Sequence, residues 1–111
     1  YDDAASSFQT FTKKYPKDPL IGNAYYWIGE TQYIRRNYVK AADNFRQGFE
    51  AMPSGKKAPD NLLKLGMSLA AMDQTKDACV VLKQITVKFK APDQQTVLKR
   101  AESERTRLNC Q

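Results

Sequence analysis

The sequence contains no histidine. It therefore lacks the commonest general base near neutral pH and the commonest metal ligand. Cysteine is scarce as well: Cys79 and Cys110, 31 positions apart, cannot form a zinc site alone. No glycine-rich phosphate loop and no nucleophile elbow occurs. Glu102 and Glu104 stand two apart in a helical stretch, so they point to different sides and make a poor acid/base pair. No cofactor or metal is implied, and an enzyme is not expected. No apolar run reaches the roughly 18 residues of a transmembrane helix, so no direct membrane span is encoded. No signal peptide is present, and Tyr1 falls in what reads as an inter-helix turn. The chain is thus expected to be a piece of a longer protein, with any targeting signal upstream.

Lysine and arginine number 18 against 12 acids, a net charge of +6. Such a balance favours acidic partners. The basic residues are scattered, with pairs at Lys13-Lys14, Arg35-Arg36, Lys56-Lys57 and Lys99-Arg100, and no nucleic-acid motif accompanies them. A solvated basic surface is the preferred reading, and no nucleic-acid partner is expected.

What the chain does contain is a repeat. From Asn23 to Phe49, two helical patterns lie back to back around a tight turn at Arg36-Asn37. Tyr25, Ile28, Gly29 and Gln32 share one face of the first. Tyr38, Ala41, Ala42, Phe45, Gly48 and Phe49 share one face of the second. A glycine in mid-helix costs roughly 1 kcal/mol against alanine, so Gly29 predicts close approach of another helix. The pattern returns 37 residues on, as Leu62, Leu65-Gly66, Ala78-Cys79 and Leu82, and 37 residues back as Tyr1, Ala4, Ala5 and Phe8. A period of this length indicates an all-α array in which each helix pair buries its face on its neighbours.

The divisions follow. Residues 1–16 are the second helix of a truncated repeat, 19–53 and 59–90 are full repeats, and 92–109 form a capping helix, about five helices in all. Asp18 is expected to cap the second helix, with Pro19 in its first turn. Ala58-Pro59-Asp60 and Ala91-Pro92-Asp93 open later helices in the same manner. The last helix carries Val97, Leu98, Ala101 and Leu108 but is otherwise charged, as the end of an array requires.

Tyr25, Ile28-Gly29, Tyr38, Ala41, Phe45 and Pro53 fill most positions of the tetratricopeptide repeat (TPR), which the chain resembles. That resemblance implies a right-handed superhelix of antiparallel pairs. A narrower likeness rests on Phe8-Gln9-Thr10-Phe11 with Tyr15-Pro16, on Tyr26-Trp27-Ile28-Gly29-Glu30, and on Lys57-Ala58-Pro59-Asp60 with Leu62-Leu63-Lys64-Leu65-Gly66. These stretches resemble the C-terminal TPR domain of the YbgF/CpoB family, periplasmic proteins of the bacterial Tol-Pal system. The likeness covers nearly the whole chain and departs at Lys90, where the family more often has proline. It implies export to the periplasm and binding to TolA. It also implies a link to a bifunctional peptidoglycan synthase, coordinating wall synthesis with outer-membrane constriction in cell division. A homotrimer would form only through an upstream coiled coil absent from this sequence. The alternatives are another TPR scaffold, such as an outer-membrane-assembly lipoprotein, or a cytosolic co-chaperone.

In such arrays the first helix of each repeat lines a concave groove. On the first full repeat the groove positions are Asn23, Tyr26, Trp27, Glu30, Tyr33 and Ile34, a second stripe apart from Tyr25, Ile28, Gly29 and Gln32. Aromatic anchors of this kind favour interfaces, although Tyr26 and Trp27 could instead pack on Phe8 and Phe11. On the next repeat the matching positions include Lys64 and Met67. Lys64 reads as a solvated charge unless an acidic segment meets it, and Met67 as either an adaptable contact or core.

Cys79 lies near the start of one helix and Cys110 just past the end of the next. Helices joined by a short loop run antiparallel, which brings the two cysteines together. An oxidising compartment, which the family resemblance supplies, would permit a disulfide. The alternative is a buried Cys79 thiol with Cys110 loose at the terminus.

Overall fold

A computed structural model describes residues 2–111. Among them are six α-helices: α1 (Asp2–Lys14), α2 (Ile21–Ile34), α3 (Tyr38–Ala51), α4 (Ala58–Ala71), α5 (Thr75–Lys88) and α6 (Gln95–Arg107). The expected count of about five was one short: a single first helix, two pairs and a cap make six. Each helix packs on the next, and α2 also touches α4, as α4 touches α6. So α2, α4 and α6 form one layer, with α1, α3 and α5 behind it. The thinnest dimension is 18 Å, the depth of two helices of about 10 Å.

The 37-residue period has a steric origin. A Cβ on Gly29 would stand 2.6 Å from the Phe45 ring, and one on Gly66 would stand 2.8 Å from Leu82. Phe45 and Leu82 are wholly buried, as are Ala41 and Ala78. Each pair is thus clamped by a large side chain seated where its partner helix has none. Behind these clamps, Leu62, Leu63, Leu82, Ile85, Phe89 and Ala101 form one core across α4, α5 and α6.

The turns repeat too. Arg36 and Asp73 follow α2 and α4 in the left-handed region, at φ 63° and 59°, and Asn109 follows α6 at 57°. In each case two backbone N–H groups return to the helix end: Arg36 to Tyr33 and Asn37 to Gln32, Asp73 to Ala70 and Gln74 to Leu69, Asn109 to Thr106 and Cys110 to Arg105. These paired bonds satisfy carbonyls left over at the helix end. Here they hold residues other than glycine in a conformation that costs roughly 1–2 kcal/mol.

Several boundaries differ from expectation. The first helix, expected over residues 1–16, ends at Lys14; Tyr1 lies outside the described residues, and Tyr15 and Ala4 are exposed while Ala5 is buried. Asp18 does not cap α2. Its Oδ1 accepts the Leu20 N–H at 2.8 Å, and the helix begins only at Ile21. A short acidic side chain bonding two residues ahead favours a turn over helix entry. Residues 92–94 form a 3₁₀ turn before α6, and the Ala91 N–H donates to Gln94 Oε1 at 3.1 Å.

Cys79 and Cys110 are joined by a disulfide, with Cα atoms 5.5 Å apart. It ties the beginning of α5 to the residues just beyond α6. No helix among the described residues is long and apolar enough to cross a membrane.

Candidate functional site

The α2–α4–α6 layer carries the aromatic stripe. Tyr26 lies one helical turn before Glu30, and Tyr33 nearly one turn after it, so all three share a face. That face meets α4. Tyr26 is half-buried against Phe45, with ring centroids 5.8 Å apart, and edge-on to Trp27 at 5.2 Å. Trp27 lies beside Phe8 and Phe11, and together with Ser7, Leu20, Asn23 and Ala24 they line a notch of about 370 Å³ between α1 and α2. Trp27 remains 46% exposed and Leu20 59%.

Lysines from the next repeat cover these rings. Lys57 Nζ lies 4.5 Å from the Tyr26 centroid and 5.5 Å from that of Trp27. Lys64 Nζ lies 4.8 Å from the centre of Tyr33, which meets Tyr38 edge-on at 5.3 Å. A cation over an aromatic face is attracted by the ring quadrupole. Lys64 also faces Glu30 Oε1 at 3.0 Å, an ion pair without an aligned hydrogen bond. The side chains of Lys64 and Glu30 are only 14% and 20% exposed. Lys64 is therefore not a solvated charge; it is fixed between a carboxylate and a ring.

Burial and charge act together on the titrating groups. Burial first, then Glu30 and Asp60, pushes the Tyr26 hydroxyl up to about 12. Tyr33 is raised as well, by burial and then by Tyr38 and Glu104. Burial lifts the Asp60 carboxyl above the usual range, and Lys57 opposes it only in part. Both tyrosines therefore stay neutral near pH 7, as hydrogen-bonding groups at the edge of an apolar surface.

The remaining expected positions divide. Asn23 borders the notch. Ile34 is 53% exposed at the end of α2. Met67 packs on the α4–α5–α6 core. Two contributors escaped the sequence reading. Lys57 belongs to a loop, and no helical period selects it. Asn61 is fully buried and donates to the Gly22 carbonyl at 3.2 Å. It spans from α4 to the start of α2 and so holds the two walls together.

A tetratricopeptide repeat family model matches residues 60–90, most of the α4–α5 pair. Among curated proteins none matches. With six helices packed in adjacent pairs, the chain is a TPR helical array. Arrays of this type are protein–protein interaction modules.

Proposed function

We propose that this chain is the partner-docking domain of a periplasmic Tol-Pal accessory protein, and that the α2–α4 face binds a segment of TolA. In this reading the domain helps coordinate outer-membrane constriction with peptidoglycan synthesis in cell division, and a bifunctional peptidoglycan synthase is a further partner. The observation that carries the docking is the aromatic surface of α2: Tyr26 and Tyr33 share the face toward α4, and Trp27, edge-on to Tyr26 and turned toward α1, is 46% exposed. The Tyr26-Trp27-Ile28-Gly29-Glu30 and Lys57-Ala58-Pro59-Asp60 strings support the choice of partner through their family resemblance.

The groove is ordered before the partner arrives. Lys57 and Lys64 hold the rings, and Glu30 holds Lys64. Few rotamers remain to be frozen, which lowers the entropy cost of association. Apolar partner side chains would cover the Trp27 edge, while the neutral Tyr26 and Tyr33 hydroxyls offer donors. The disulfide agrees with an oxidising compartment.

The test is capture of TolA from an envelope extract by the immobilised chain, detected with an antibody to TolA. Retention of TolA by the native chain and its loss with Trp27→Ala/Tyr33→Ala, at unchanged helical circular dichroism, is the expected result. Equal retention by both would remove the docking face from the account.

A further inference from the structure

The charges along this face do not balance. Three carboxylates point toward it, and each has a cation. Glu30 pairs with Lys64 at 3.0 Å, and Glu104 pairs with Arg107 at 2.6 Å. Asp60 lies in the field of Lys57. Two cations are left over on α6, Lys99 and Arg100. Both are exposed, and among the described residues neither has a carboxylate within salt-bridge distance. Arg100 acts electrostatically on both Tyr26 and Tyr33, which places it on the same face as the aromatic row. Lys99, Arg100 and Arg107 line a shallow depression with Ser103 and Glu104. The face is therefore apolar at one end, at the Trp27 notch, and positively charged at the other.

We infer that the docked segment is acidic, with one large apolar side chain seated in the notch at Trp27 and carboxylates placed against Lys99 and Arg100. This rests on the docking reading above and adds the chemistry of the partner. Neighbouring helices lie roughly 8–10 Å apart, so the path from α2 across α4 to α6 is about 20 Å. An extended chain advances about 3.3 Å per residue, which separates the apolar anchor from the acids by about six residues. Charge complementarity of this kind sets partner choice and association rate more than raw affinity.

Three labelled peptides test the inference by fluorescence anisotropy at low salt with the whole chain. Each carries one phenylalanine and, about six residues later, two glutamates, two serines or two lysines. The glutamate peptide binds about tenfold more tightly than the serine peptide, and the lysine peptide binds most weakly. Lys99→Glu/Arg100→Glu reverses that order, and Lys99→Gln/Arg100→Gln flattens it. Salt of about 0.5 M narrows the differences, because exposed charges are screened. Equal affinities, or a preference for the lysine peptide, overturn the inference. If the lysine peptide wins and Trp27→Ala abolishes its binding, the docking face stands and the acidic partner falls. If no peptide saturates, or Trp27→Ala changes nothing, both fall.

Discussion

Reducing the Cys79–Cys110 bond removes the only covalent tie on α6 among the described residues. That helix is held weakly otherwise. Ala101 is its one fully buried side chain, with Val97, Leu98 and Leu108 half-buried. The bridge closes a separation of 31 residues, which in the chain-entropy description is worth about 3.7 kcal/mol through the unfolded state. For a domain of this size 1 kcal/mol moves the melting temperature by about 4 °C, so full reduction should lower it by about 15 °C. The loss should also be uneven, with α6 fraying before α2 and α3 open. Thermal melts followed by circular dichroism, with and without reductant, measure the first effect. Amide hydrogen exchange over residues 95–107 measures the second. Labelling of both cysteines by an alkylating reagent, in denatured and unreduced protein from an oxidising host, would refute the bond. Identical melts before and after reduction would refute its stabilising role.

Gly29→Ala should destabilise by about 1–3 kcal/mol, because the new methyl would meet the Phe45 ring at 2.6 Å; chemical denaturation reads this directly. Asp60 carries a raised pKa from burial, so its ionised form disfavours folding. Its stabilising contribution is present below the normal carboxyl range and is lost as pH rises through the folded pKa. Asp60→Asn should therefore be more stable than the native chain at pH 7, and the gain should vanish in acid. Tyr26, pushed up to about 12, favours the folded state fully below pH 10. That contribution fades as pH rises toward 12. Tyrosinate absorbance should show Tyr26 ionising late in the folded protein, and Tyr26→Phe should remove that late step.

The repeat could be read from the chain because its determinants are local and singular. Gly29 and Gly66 must be small for Phe45 and Leu82 to enter, and Ala41 and Ala78 must be small for the same reason from the other side. The antiparallel connection of two consecutive helices pointed to the cysteine pairing, against the alternative of a buried Cys79 thiol, and the two residues are bonded. The left-handed Arg36 and Asp73 gave no sign, since neither is glycine or asparagine. Asn61 was invisible to apolar periodicity because it is a polar residue filling a core position beside Gly48. The Glu30–Lys64 pair joins two repeats, and no spacing within one helix predicts a partner on another. Met67 occupies a groove position in the helical register, yet the neighbouring core takes it in.

Isothermal titration of the purified chain with the periplasmic region of TolA tests the central claim most directly. Run beside it, Trp27→Ala/Tyr33→Ala must first match the native chain in helical content. A saturable isotherm for the native chain, weakened by about tenfold or more (about 1.4 kcal/mol) in the variant, is the predicted result. Equal isotherms for the two proteins, or no heat with either, would contradict it.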